Sequence, residues 1–471
     1  MTPHIEIDNA VSAAQAAAPH WAKSDGPRRA DLLNALATGL EAERAELVAL
    51  ADRETKLGLP RLNGELDRTC FQLRRFADYA RDGGPFACHA DPAVAGPPPQ
   101  GRPQITRVRV PLGPVAMFSA SNFPFAFSVL GGDTASALAA GCPVVVKAHP
   151  AHPLLSRAVH QLTLRVLASL DLPAGLVGHI DEDSFEAGMA LVAHPGIRAV
   201  AFTGSLSGGQ ALSKQAASRP RPIPFYGELG SINPVVVLPG ALEQSLDEKA
   251  RLLAGSVTQG AGQFCTSPGL VLMLDTPESH AFARALAREV AAVVLHPMLS
   301  PRISEGYKAG VRSLAAEDSV EVLAEPGWEH EKSSGFVGVT SASAFLDKER
   351  LRHEVFGSSC LCVLAKSMAQ IHAVLEEVAG SLTVTLWGAE EESAENRLLL
   401  RTAQSIAGRV LFKGVPTGVA VTPAQHHGGP WPASTQALFT SVGLAAADRF
   451  LRPLALQDAP DWVSQSQGVP A

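Results

Sequence analysis

The chain is expected to fold as an α/β protein of two doubly wound domains with a small β element for oligomerisation. Three observations predict it. Short β-branched runs alternate with helical stretches from Val115 to Leu238, and a second alternation of the same kind runs from Leu242 to Phe412. A length of 471 residues also exceeds what one hydrophobic core organises. With 46% hydrophobic and 18% charged residues, the chain reads as well-buried and globular, which excludes a disordered or fibrous class.

Residues 10–80 read as Ala/Leu-rich helices, with Glu41 to Leu50 carrying apolar residues at helical spacing. Gly83-Gly84-Pro85 and Gly96-Pro97-Pro98-Pro99 then break regular structure, so a long surface connection is expected before the strand Ile105–Val110. In the first alternation Val144–Lys147, Leu176–Ile180, Ile197–Phe202 and Val235–Leu238 read as strands, separated by helices such as Ser156–Leu170 and Ser205–Ala217. In the second, Leu270–Leu274, Val320–Leu323, Cys360–Leu364, Leu382–Leu386 and Val410–Phe412 are strand-like, and Pro277–Val294 and Met368–Ala379 are helical. Right-handed βαβ units and parallel sheets follow. In the tail, Arg449 to Gln457 is expected as a strand exported to a neighbour.

A formal net charge of −7 and a pI near 6.1 argue against nucleic acid or an anionic membrane as a partner. Met1 to Asp8 shows no secretory signal, and no apolar stretch is long enough to span a bilayer, so cytoplasm is the expected location. Six cysteines in so long a chain do not make a disulfide framework. Cys70, Cys88, Cys142, Cys360 and Cys362 read as small core groups. No metal site is expected, because the histidines lack ligand spacing.

Two short segments carry chemistry: Phe225-Tyr226-Gly227-Glu228-Leu229-Gly230 and Gly260-Ala261-Gly262-Gln263-Phe264-Cys265. The first offers a carboxylate on what reads as a Gly-flanked turn. The second offers a thiol after two glycines, where the backbone can approach a substrate. A thiolate nucleophile with a carboxylate base suits a covalent, thioester-forming mechanism. Glycines, Thr266, Ser267 and a nearby helix end suggest an accessible Cys265 of depressed pKa. Asn122, in Ser121-Asn122-Phe123-Pro124, reads either as a turn cap or as an oxyanion donor. Phe202-Thr203-Gly204-Ser205 through Gly209 follows a strand and opens a helix, a place where backbone N–H groups can face a pyrophosphate.

Glu-Leu-Gly followed by Gly-Gln-x-Cys at this spacing resembles the aldehyde dehydrogenase superfamily, and the resemblance spans roughly residues 10–460. It implies a Rossmann-like cofactor domain over 1–238 with an oligomerisation strand near 101–112, a catalytic domain over 239–435, and a C-terminal oligomerisation segment over 436–471. Cys265 would be the nucleophile, Glu228 the base for the deacylating water, and Asn122 with the Cys265 N–H the oxyanion site. NADP or NAD would meet Lys147, Pro150, Gly204, Ser205, Gly209, Glu354 and Phe356, in a homodimer or homotetramer acting on a small aldehyde.

Many NAD-preferring members carry Glu where this chain has Pro150. Its absence, with His149 or His152 adding charge or donors, leans towards NADP. Lys147-Ala-His-Pro-Ala-His-Pro153, His427-Gly-Gly-Pro430 and the segments around Gly414 and Phe439 resemble the 2-oxoglutarate semialdehyde (2,5-dioxopentanoate) dehydrogenase subgroup. Fatty-aldehyde dehydrogenases share part of this pattern, and an aliphatic aldehyde is the alternative substrate. A coenzyme A-acylating enzyme would not need Glu228. A cysteine hydrolase would need a histidine base, and no Cys/His arrangement is apparent. The cation facing a substrate carboxylate is left open among Arg102, Arg107, Lys413, His426 and His427.

Overall fold

The computed structural model describes residues 3–243, 245–327, 334–460 and 462–463. Four helices, Pro3–Ala22, Gly26–Ala42, Arg44–Thr55 and Leu59–Arg81, occupy the N-terminal region as its apolar spacing predicts. The Pro/Gly connection that follows is less plain than expected. It holds strand β1 (His89–Asp91), which pairs antiparallel with β2 (Ile105–Pro111).

The next five strands, β3 (Val115–Phe118), β4 (Val144–Lys147), β5 (Val177–Ile180), β6 (Ala199–Thr203) and β7 (Phe225–Glu228), form a parallel sheet in the order β5-β4-β3-β6-β7. Nearly every residue of β3 and β4 is buried, as their uninterrupted apolar runs require when helices cover both faces. Strand β7 corrects the sequence reading: Glu228 ends a buried strand and is not on a turn.

Strands β8 (Val235–Val237), β9 (Leu270–Leu274), β10 (Glu321–Ala324), β11 (Phe336–Ser341), β12 (Ser359–Ala365), β13 (Ser381–Trp387) and β14 (Ala407–Leu411) make a second sheet, ordered β10-β11-β12-β9-β8-β13-β14. Only the edge pair β10–β11 is antiparallel. Val235–Val237, read as closing the first alternation, is hydrogen-bonded between β9 and β13 of the second sheet. The chain therefore changes sheets between Glu228 and Val235, within the segment that carries the carboxylate.

Strand β15 (Leu451–Gln457) pairs antiparallel with β2 of the same chain, Leu451 opposite Pro111 and Gln457 opposite Ile105. Within the chain β15 is thus the edge strand of this three-stranded sheet, paired on one side with β2. Just before it, the buried Arg449 donates to Asp133 Oδ1 at 2.7 Å, fixing the tail to the helix Gly132–Ala139. Residues 464–471 of the expected oligomerisation segment lie outside the described residues. Among the described residues no helix is long and apolar enough to cross a membrane.

Candidate active site

Glu228 is placed by β7, whose end lies where parallel sheets of this kind gather ligands. Two residues on, Gly230 lies against Glu354: a Cβ there would sit 2.3 Å from Oε2, so a side chain would displace that carboxylate. Cys265 arrives from the other sheet. The helix Leu246–Thr258 ends, and Gly260, Ala261 and Gly262 turn the chain through φ of 58°, 55° and 69°. Left-handed backbone is easy for glycine and strained for alanine. A Cβ on Gly262 would also meet the Gly357 carbonyl carbon at 2.1 Å, so the turn packs directly on the Glu354–Gly357 loop.

Side chains then lock the thiol's position. Asn233 Nδ2 donates to the Cys265 carbonyl at 2.8 Å, and Asn122 Nδ2 donates to the Gln263 carbonyl at 2.9 Å. The Gln263 side chain accepts from Leu299 N–H and donates to the Gly260 carbonyl. Asn122 is thus brought beside the cysteine turn with one amide hydrogen committed and a second left over. The Cys265 N–H has no backbone partner among the described residues. Both groups remain available to a substrate oxygen.

The finding that sequence reasoning missed is His427. Its Nε2 lies 3.4 Å from Cys265 Sγ and 3.0 Å from Glu228 Oε1. A Cys/His arrangement therefore exists, contrary to the sequence reading, and its partners are 162 residues apart in the chain. Thr440 Oγ1 accepts the His427 N–H, and Ser441 Oγ donates to Glu228 Oε2 at 2.5 Å. His427, Glu228 and Ser441 are buried; Cys265 is half-buried.

Electrostatics correct another expectation. Burial, then the neighbouring Glu228 carboxylate, push the Cys265 thiol well above its ordinary pKa. The nearby helix end is a C-terminus, whose partial negative charge gives a thiolate no help. For Glu228, burial raises the pKa, but the charge and hydrogen bonds of His427, with those of Ser441 and Cys265, outweigh it and hold the carboxyl below its ordinary range.

A second buried carboxylate supports the site from behind. Glu65, on the helix Leu59–Arg81, accepts hydrogen bonds from Phe125 N–H at 2.8 Å and Ala126 N–H at 3.0 Å. Arg61 from the same helix donates to the Asn122 carbonyl at 2.6 Å. Burial raises the Glu65 pKa to about 7. No sequence signal marked either residue, because both sit at ordinary helical spacing.

The expected cofactor residues fall into two groups. Lys147 ends β4, buried, with Nζ donating to the Ala148 carbonyl. Ser205 caps the helix Leu206–Ala217, accepting the Gly208 N–H at 3.3 Å, and Gly204 and Gly209 lie on either side. Gly209 leaves no room for a side chain against Leu229. Pro150 is exposed in the turn after β4. Glu354 and Phe356 instead line a cleft that reaches Gly262 and Phe264 of the cysteine turn. A capped, exposed helix N-terminus beside a buried ammonium fits a dinucleotide's phosphate and ribose, with the second group near the reacting end. His149 and His152 do not supply the expected charge. Burial drives both pKa values down, His149 to about 3, so they are neutral.

Residues 2–429 match the aldehyde dehydrogenase family. The chain belongs to that family. An alpha-ketoglutaric semialdehyde dehydrogenase of Azospirillum brasilense is 44% identical over 446 residues, 92% of this chain and 84% of that protein. One from Acinetobacter baylyi is 38% identical over 456 residues, 96% and 86% of the two chains. Among solved structures, aldehyde dehydrogenase 21 from Physcomitrella patens, in complex with the reaction product succinate, superposes with a TM-score of 0.79 over 96% of this chain and 90% of that one, at 20% identity. Methylmalonate-semialdehyde dehydrogenase from Oceanimonas doudoroffii gives 0.81 over 97% and 91%, at 17% identity. As an aldehyde dehydrogenase, this chain is an oxidoreductase that uses NAD(P) to oxidise an aldehyde.

Proposed function

We propose that this aldehyde dehydrogenase oxidises 2-oxoglutarate semialdehyde to 2-oxoglutarate through a thioester on Cys265. The contact of Cys265 with His427 and Glu228 carries the chemical part of this reading. His427 Nε2, when unprotonated, accepts the thiol proton; when protonated, it donates to Glu228 Oε1. One nitrogen cannot do both at once, so the two contacts serve successive steps. Attack on the aldehyde gives a thiohemiacetal whose oxyanion meets the free Asn122 amide hydrogen and the Cys265 N–H. A bound nicotinamide dinucleotide supplies hydride acceptance. Glu228 then takes a proton from the water that attacks the thioester, which releases the acid.

For the substrate, both named relatives act on alpha-ketoglutaric semialdehyde, and two arginines favour an anionic far end. Arg68 and Arg409 both act electrostatically on Cys265, and each has a buried Nε with no partner. Each also holds carbonyls of one loop, Arg68 that of Val419 and Arg409 those of Pro416 and Gly418. They are preferred to Arg107, on β2 of the three-stranded sheet, and to Arg102, which bridges Val94 in the connection before it.

NADP is read as the preferred cofactor by a narrow margin. Pro150 removes a carboxylate, but Asp181, Glu182 and Asp183 act on Lys147 and oppose a 2′-phosphate. We further infer a cytoplasmic homodimer or homotetramer joined through the free edge of β15, since open edges seek partners. Residues 1–238, 239–435 and 436–471 then serve as cofactor, catalytic and oligomerisation parts, with β8 contributed to the catalytic sheet. Steady-state kinetics over 2-oxoglutarate semialdehyde, succinate semialdehyde and long aliphatic aldehydes, each with both cofactors, test the reading. The semialdehyde should show the highest kcat/KM; preference for a long aliphatic aldehyde overturns it.

A further inference from the structure

We propose that Glu228, Cys265 and His427 form a binding site for a single zinc ion, and that its occupancy reversibly shuts the enzyme off. One donor atom from each residue, Sγ, Nε2 and a carboxylate oxygen, lies within 4.8 Å of the others. The separations are 3.4 Å for Sγ to Nε2 and 3.0 Å for Nε2 to Oε1. A tetrahedral zinc ion, with bonds of about 2.3 Å to sulfur and about 2.0–2.2 Å to nitrogen and oxygen, holds its donors roughly 3.3–3.6 Å apart. Two of the three separations lie within a few tenths of an ångström of that geometry, and the third, Sγ to the carboxylate oxygen, is within 4.8 Å.

Donor chemistry selects the ion. A thiolate, an imidazole and a carboxylate suit zinc, whereas magnesium and calcium favour oxygen donors alone. Three protein ligands with a fourth position open is the pattern of an accessible zinc centre. The surroundings orient each ligand. Ser441 Oγ holds the second Glu228 oxygen, Thr440 Oγ1 holds the His427 backbone, and Asn233 holds the Cys265 carbonyl. The Ser441 bond to the ligating carboxylate is of the outer kind that typically changes metal affinity about 10–100-fold.

On binding, the Cys265 S–H bond breaks, its proton passes to solvent, and a zinc–sulfur bond forms without change of oxidation state. The sulfur lone pair needed for attack on the aldehyde and the Glu228 oxygen needed by water are both engaged. The two functions are lost together.

Cobalt(II), a spectroscopic substitute for zinc, reports the ligands directly in the full-length chain without cofactor. One equivalent should produce a near-ultraviolet thiolate-to-cobalt charge-transfer band. Added zinc should erase that band and abolish turnover, and a chelator should restore activity. Cys265→Ser should lose the band, and His427→Asn and Glu228→Gln should each weaken cobalt affinity more than tenfold, with thermal melting used to confirm that each variant is folded. A band that survives in Cys265→Ser would assign the metal to another cysteine and overturn the proposal. So would an affinity unchanged in both His427→Asn and Glu228→Gln. Because the band is read without substrate or turnover, its failure is distinct from failure of the aldehyde assignment.

Discussion

His427 Nε2 stands 3.0 Å from Glu228 Oε1, and the two side chains are 1% and 3% exposed. A hydrogen-bonded pair so withdrawn from water cannot lose one member without leaving the other uncompensated. In His427→Asn, Glu228 loses the partner that most lowers its pKa, and Cys265 loses its adjacent proton acceptor. A general base typically contributes about 10²–10⁴-fold, so kcat/KM should fall within that range. Thermal unfolding should also drop by an amount corresponding to about 3–5 kcal/mol. Near-wild-type kcat/KM in a folded variant would remove His427 from proton transfer.

The raised thiol pKa has a direction that alkylation can read. A thiol above its ordinary value is protonated at neutral pH, and its reactive form grows as pH rises. In the free enzyme the rate of iodoacetamide labelling at Cys265, followed by peptide mass spectrometry, should keep climbing beyond about pH 9, since the unperturbed thiol titrates near 8.5. A plateau at neutral pH would show a pre-formed thiolate.

Glu65 sets a pH dependence of stability. Its pKa is raised from 4.5 to about 7 in the folded chain, so the folded state holds a proton that the unfolded state releases. Its contribution is fully present below about pH 4.5 and is lost as pH rises through about 7. The loss should amount to about 3 kcal/mol at 1.36 kcal/mol per unit. Glu65→Gln keeps an acceptor for the Phe125 and Ala126 N–H groups and should flatten this part of the stability profile. Chemical denaturation between pH 5 and 8, roughly the window between the two values, measures it. An identical slope in both proteins would contradict the assignment.

The proposed cofactor preference is tested at a single exposed position, Pro150. Pro150→Glu should move the ratio of kcat/KM values towards NAD by roughly 1–3 kcal/mol, the size of a charge-assisted hydrogen bond. Initial rates with both cofactors decide this. An unchanged ratio would assign selection to other residues, among them Asp183, Glu182 and Asp181, whose charges act on Lys147.

Local backbone demands were legible in the sequence, and distant partnerships were not. Gly260 and Gly262 announced the cysteine turn because a left-handed path leaves a mark on residue choice. Ser205 announced a helix start because capping needs a short polar side chain. Strand β7 hid its nature, because Pro222 and Pro224 before it and glycines within and after it look like a turn, while burial and pairing with β6 make it a strand. His427 was read only as part of a subgroup pattern and as one candidate cation for a substrate carboxylate. Nothing near it in the chain reveals that folding sets it between Glu228, at the end of one sheet, and Cys265, on the turn that leads into the other. Glu65 was silent for the same reason, since its acceptors' partners lie 60 and 61 residues away. The tail strand was recognised, but strand pattern alone cannot say whose edge it joins.

The covalent route itself is best tested in Glu228→Gln. With the deacylating base replaced by an amide that cannot take a proton, acylation should proceed and hydrolysis should stall. Rapid mixing of this variant with 2-oxoglutarate semialdehyde and NADP, followed by acid quench and peptide mass spectrometry, should show a burst of reduced cofactor matched by a 2-oxoglutaryl thioester on Cys265. No acylated Cys265, with the burst abolished or with turnover at the wild-type rate, would contradict the assignment of Cys265 as nucleophile and Glu228 as deacylating base.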